Sequence, residues 1–302
     1  MTTGPLAVEI RAPAKVNLVL RVLERGGDEY HRIETLFQSL GLFDRLRLQR
    51  EERPGVELSV AGAELGAPED NLVSRAALAF LERAGLDAGV SVQLTKAIPA
   101  GAGLGGGSSD AAAALEALNL LFDEPLARDE LAAIARTLGA DVPFFLCGAA
   151  LALGEGRGDR LTPLDPLPQA GVLLGLPRVH VSTAEAYRAL AEARARGVGP
   201  ATERASPLRA SSWSEVAALS LNDFESVVPA AYPEVAQALA AVRATAPPFA
   251  RLSGSGGAVF GVYDDLAAAR RAAAEAARLD PTVPFEAVST LTRPPAPAWA
   301  KG

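Results

Sequence analysis

The sequence is short of the residues on which much enzyme chemistry depends. It has one cysteine, Cys147, and two histidines, His31 and His180. A single thiol excludes an intrachain disulfide and fits a reducing, intracellular setting. Two histidines exclude a His-rich metal centre, and a Ser–His triad would have to use one of them. Acid–base work therefore falls to Asp, Glu, Lys or Tyr. No apolar run is long enough to span a bilayer, the longest uncharged one being VPFFLCGAALALG at 142–154. The opening MTTGPLAVEIRAPAK lacks a basic segment followed by an apolar stretch, so no signal peptide is expected and the location read from the sequence is cytoplasmic. Positive charge is in deficit, with 29 Lys and Arg against 36 Asp and Glu and a net charge of −7. That argues against nucleic acid or a membrane surface as the main partner. It leaves room for a local basic pocket of the kind a phosphorylated ligand needs.

What is present is a chain of 302 residues, 49% hydrophobic and 22% charged, enough for one large or two modest domains with substantial cores. Apolar alternation predicts strands at 15–23, 40–49, 56–60 and 90–95. A helix is expected over 71–84 with Asn71 as its N-cap, and an alanine-rich amphipathic one from Ser108 or Ser109. A third, at 127–139, is stopped by Gly139. The second half predicts helices near 183–195, 232–244 and 265–278 and strands near 172–176, 258–263 and 284–288. Residues 197–212 read as a polar loop and the tail TRPPAPAWAKG as loosely ordered. The Pro- and Gly-rich run at 155–170 suggests a division into two α+β domains, 1–160 and 161–302.

Residues 99–109 read PAGAGLGGGSS. Glycine inside an element costs roughly 0.5–1 kcal/mol relative to alanine, so five of them between Gly101 and Gly107 need a reason. Lying between a strand and a helix start, they make an anion site. The first helical turn offers unpaired N–H groups and the positive end of the helix dipole, and glycines let the backbone wrap a phosphate. A Walker A loop would need Gly-Lys-Ser/Thr, and Ser-Ser-Asp follows Gly107 instead. A dinucleotide fingerprint is formally met by Gly101, Gly103 and Gly106. The acids about 20 residues on, however, fall in a loop and a helix start rather than at a strand end.

Other polar groups stand out singly. Lys15 and Asn17 share one face of a strand, which taken alone reads better as the wet face of a half-buried strand. Asp141, in LGADVPFFL, is either an N-cap or a partly desolvated base beside apolar bulk. Tyr30 and His31 follow the charged loop ERGGDE and could stack on a base or pack on the surface. His180 reads as structural. The second glycine loop, RLSGSGGAVFGVY at 251–263, is a tight hairpin or a set of N–H groups closing on an anion.

Taken together, APAKVNLVLRV at 12–22, PAGAGLGGGSS at 99–109 and RLSGSGGAVF at 251–260 resemble the three ordered motifs of the GHMP kinase superfamily. Tyr30–His31, TLFQSL at 35–40, EDNLVSRAA at 69–77 and GADVPFFL at 139–146 narrow the resemblance to the branch acting on a cytidine diphosphate-linked methylerythritol in the non-mevalonate isoprenoid route. The resemblance implies an α+β fold of two domains. The N-terminal ATP-binding domain would carry a left-handed βαβ unit, and the C-terminal domain would be ferredoxin-like. ATP is the implied co-substrate, with Mg²⁺ expected and Ser109 as its candidate ligand. Lys15 and Asp141 match the family's catalytic pair. Pro99, Ala100, Gly101, Ala102, Gly103, Leu104, Gly105, Gly106, Gly107, Ser108 and Ser109 match its triphosphate loop, with Asn71 and Lys96 near the nucleotide. Asn17, Tyr30 and His31 match substrate contacts, and Tyr187 falls where an aromatic ring flanks the base. Glu29 stands where the family commonly has glycine.

Overall fold

The computed structural model describes residues 7–25, 31–63, 66–198 and 210–300. In chain order its elements are β1 (Ala7–Arg25), β2 (His31–Glu51), β3 (Gly55–Ala61), α1 (Leu72–Ala84), β4 (Gly89–Thr95), α2 (Gly106–Leu121), α3 (Arg128–Leu138), α4 (Val142–Leu146), β5 (Leu151–Gly156) and β6 (Arg160–Pro163). They continue with β7 (Gly171–Gly175), α5 (Thr183–Ala195), α6 (Trp213–Leu219), α7 (Val228–Ala231), α8 (Pro233–Ala244), β8 (Phe249–Leu252), β9 (Val259–Tyr263), α9 (Leu266–Leu279), β10 (Phe285–Ser289) and β11 (Ala298–Trp299).

The first sheet follows the order β11-β1-β2-β4-β3, with β5 also paired to β2 and β6 to β5. Its pairs are antiparallel except β3 with β4, which α1 joins into the βαβ unit. The second sheet runs β10-β7-β9-β8 and is antiparallel throughout. With helices between β7 and β8 and between β9 and β10, this is the βαββαβ order of a ferredoxin-like domain.

Local chemistry accounts for the elements that frame the site. Asn71 caps α1 by accepting the Val73 N–H at 2.9 Å, and Gly85 ends it in the left-handed region. Helix α2 starts two residues earlier than expected and is buried on nearly all sides rather than along one stripe. Its run Ala111–Ala114 lets it lie close against the first sheet beneath α1. A long β1 is likewise buried on both faces from Ala12 to Leu20, because one face meets α2 and the other meets the second domain. That second apolar cluster joins Val16, Leu36 and Leu40 to Val172, Leu174 and Phe260, so the two sheets share a core. The tail is not loose: Trp299 pairs with Val8 along the outer edge of β1.

Candidate active site

Lys15, expected on a wet face, is 3% exposed, and its backbone N–H donates to the Leu104 carbonyl of the glycine loop at 2.9 Å. Its ammonium donates to Asn17 Oδ1 at 2.7 Å, and Asn17 Nδ2 donates to Thr35 Oγ1, also at 2.7 Å. Thr35 in turn donates to the Val19 carbonyl. This chain of neutral groups fixes the lysine without cancelling its charge. The Phe37 ring lies 5.5 Å below the ammonium. Its one carboxylate partner among the described residues is Asp141 Oδ2, at 3.3 Å, with a side chain 32% exposed. Asp141 sits at the N-cap position of α4, yet its side chain makes no capping bond and turns to Lys15.

A cavity of about 420 Å³ opens over this pair. Lys15, Asn17, His31, Tyr187, Asp141, Gly103 and Gly105 all line it, which brings the Lys15–Asp141 pair together with three of the expected substrate contacts and two glycines of the loop. The His31 and Tyr187 rings stack at 5.4 Å and 20°. Burial, with a smaller push from the Asp141 charge, raises the Tyr187 phenol to about 12, so it remains a neutral hydroxyl. Tyr30 lies outside the described residues. The sequence reading missed Arg157, Thr183, Phe224 and Ser255, which also line the cavity. Ser255 was within reach, since it lies inside the second glycine loop. Arg157, an arginine between two glycines in an acidic chain, was the other available signal.

The second loop explains part of the glycine content of the first. Gly103 has φ +83°, and a Cβ there would be driven into the Ser253 carbonyl. The two loops are bonded to each other: the Ser253 hydroxyl donates to the Gly103 carbonyl at 3.0 Å, and the Ala258 backbone N–H to the Ala102 carbonyl at 2.9 Å. The far domain thus grips the loop while Gly254 and Ser255 face the cavity.

On the other side of the loop lies a cavity of about 320 Å³ lined by Asn71, Lys96, Ala100, Gly101, Gly107, Asp70 and Asp110, among others. Here Lys96 is held by two buried carboxylates, Asp44 and Asp110, the latter at 2.6 Å. Asp44 also accepts the N–H groups of Ala97 and Ile98 and so pins the root of the loop. Burial raises Asp110 to about 7 against the pull of Lys96. Ala102 and Leu104 point into the core, Gly106 opens α2 and Ser108 is half-buried in its first turn. Pro99 faces a separate groove beside His180.

Ser109 does not fit the expected role. It is 1% exposed, lines neither cavity, and its hydroxyl has no partner among the described residues. Helical geometry turns it inward beside Pro13, Ser39 and Phe145. No group of three or more acidic, His or Cys side chains suited to a metal occurs among the described residues. Nor is any of their helices long and apolar enough to cross a membrane.

Residues 71–149 match the family described as GHMP kinases N terminal domain, and residues 205–280 match GHMP kinases C terminal. Fold and matches together define a small-molecule kinase of the GHMP class. A 4-diphosphocytidyl-2-C-methyl-D-erythritol kinase from Pelotomaculum thermopropionicum is 40% identical over 275 residues, covering 91% of this chain and 96% of the relative. A crystal structure of 4-(cytidine 5'-diphospho)-2C-methyl-D-erythritol kinase superposes with a TM-score of 0.73 at 37% identity, covering 93% of this chain and 98% of the other. The chain belongs to the 4-diphosphocytidyl-2-C-methyl-D-erythritol kinase family. Homoserine kinase from Cytophaga hutchinsonii shares the fold, with a TM-score of 0.71 over 99% of both chains at 19% identity.

Proposed function

We propose that this kinase transfers the γ-phosphoryl group of ATP to the C2 hydroxyl of 4-diphosphocytidyl-2-C-methyl-D-erythritol, in the non-mevalonate isoprenoid route. The observation that carries the reading is the Lys15–Asp141 pair at 3.3 Å, in one cavity with the stacked His31–Tyr187 rings and the edge of the glycine loop. Phosphoryl transfer asks a protein for positioning and for neutralising spread negative charge. The acceptor is a tertiary alcohol, hindered and weakly acidic. As its oxygen bonds to the γ-phosphorus, the bond to the β–γ bridging oxygen breaks, ADP leaves and the proton passes to Asp141. Lys15, oriented by Asn17 and Thr35, stabilises the charge developing on the attacking oxygen.

Loop residues 99–108 and the start of α2 hold the phosphates, and the cavity beside Asn71 and Lys96 takes the nucleoside. His31 and Tyr187 flank the cytosine, parting from their mutual stack to admit it. Mg²⁺ would supply further neutralisation of the triphosphate charge held by the loop, and the buried Ser109 would not be among its ligands.

The test is ADP release from purified protein with Mg-ATP. The cytidine substrate is offered beside homoserine, mevalonate and galactose. Release with the cytidine substrate alone, lost in Asp141→Asn, is expected. Release with another acceptor, or undiminished release in the variant, would overturn the reading.

A further inference from the structure

A third cavity, of about 460 Å³, lies on the outer face of the first sheet, away from the glycine loops. Arg11 of β1 and Arg45 and Arg47 of β2 line it, with Glu9, Gln93 and Thr95. The tail residues Ala296 and Ala298 form one wall. Register explains the cluster. Arg11 lies directly opposite Arg45, Glu9 opposite Arg47, and the next strand sets Thr95 and Gln93 beside the two β2 arginines. Side chains two apart point to the same side of a strand, about 7 Å from one another.

Like charges placed directly opposite on neighbouring strands are destabilising, and this chain carries a net charge of −7 that could have neutralised them. Among the described residues only Arg47 has a carboxylate, Glu9 at 2.6 Å. Arg11 lies over the Phe43 ring at 4.6 Å, which orients its guanidinium without offsetting the charge. Arg45 has no ion pair among the described residues and is exposed. The cavity therefore presents two uncompensated guanidinium groups, a third shared with Glu9, and polar side chains between them.

We infer that this cavity is a second anion site, for a small molecule bearing a diphosphate group. Guanidinium forks bind phosphoryl oxygens two at a time. Arg11 and Arg45 would take one phosphoryl group and Arg47, one strand repeat further, the second. A concave site walled by the tail suits a small ligand rather than a flat membrane. The position also gives the site a consequence. Arg45 is followed back along β2 by Asp44, which holds Lys96 and the Ala97 and Ile98 N–H groups. Thr95 directly precedes Lys96. An anion seated here bears on the two residues that anchor the root of the glycine loop.

The experiment is a calorimetric titration with inorganic pyrophosphate at about 150 mM salt, where weak surface attraction is screened. The protein is first saturated with a non-hydrolysable ATP analogue, so that the glycine loop is occupied. One further site per chain is expected, weakened roughly tenfold or more in Arg45→Glu and in the milder Arg45→Gln. Both variants should keep wild-type turnover, since Arg45 lines neither cavity beside the loop. No heat with wild type, equal affinity in both variants, or binding only to vesicles of anionic lipid would overturn the proposal. Failure of the analogue to bind would count against the nucleotide reading alone, and the response to Arg45 substitution would then decide this site by itself.

Discussion

Two lysines of this molecule are almost completely buried, and they are buried differently. Lys96 lies between two carboxylates that are themselves inside the protein, and one of these, Asp44, also ties backbone N–H groups. Lys15 leans on a neutral amide and an aromatic face, and the carboxylate beside it is a third exposed. A buried ion pair is held in place by the cost of exposing either partner alone. Lys96 is locked by that rule, whereas Lys15 keeps part of its charge for whatever enters the cavity. The same residue type serves as an anchor in one place and, in the proposed reaction, as a reagent in the other.

The comparison is broken most sharply at Asp141. Replacing it with Asn should lower kcat by roughly 10²–10⁴-fold, the range for a lost general base. Both KM values should stay within a few-fold, as steady-state kinetics will show. Next, Lys96→Ala should lose about 3–5 kcal/mol of stability in urea denaturation, because it strands two buried carboxylates. Lys15→Met should cost much less stability while abolishing turnover; equal losses in the two variants would erase the distinction. Gly103→Ala should destabilise the fold by more than about 1 kcal/mol, through its positive φ and the Ser253 carbonyl, and raise the KM for ATP.

A smaller effect concerns pH. Asp110 has its carboxyl raised from 3.8 to about 7 by burial, so the folded chain holds that proton more tightly than the unfolded one. The stability this supplies is complete below pH 3.8 and fades as pH rises to about 7. Asp110→Asn should remove that decline, leaving a flatter unfolding profile than wild type, by about 1 kcal/mol or more across the window. Smallest, His31→Ala should weaken the cytidine substrate roughly three- to tenfold, the worth of one ring contact, with kcat little changed in the same assay.

Much of this was legible along the chain because it is local. Helix 183–195 and the strands at 56–60 and 90–95 fall within a residue or so of expectation, since periodicity and capping decide them. Where the outcome depended on distant partners, the sequence misled. Lys15 and Asn17 looked wet because alternation assumes one open face, whereas the glycine loop, Thr35 and Asp141 close over them. Strands β5 and β6 hid inside and just after an apolar run with no usable period. The tail looked loosely ordered because two residues of edge pairing leave no pattern. The residues around Asp141 left cap and base open, and the 3.3 Å approach of Lys15, which no local pattern carries, is a contact across the fold. Ser109 misled in the opposite sense: the motif pointed outward, and the phase of α2 turned the hydroxyl inward.

The contact between Gly103 and Ser253 spans 150 positions of sequence. On the ribosome, the glycine loop is synthesised long before the residues that grip it. Until residues 253–258 have emerged, the loop lacks its partners at Ala102 and Gly103, and a nascent or truncated chain carries the whole motif without that grip. Assembly of this kinase is therefore gated by its last third. A prematurely ended product would be silent rather than a half-working enzyme consuming ATP.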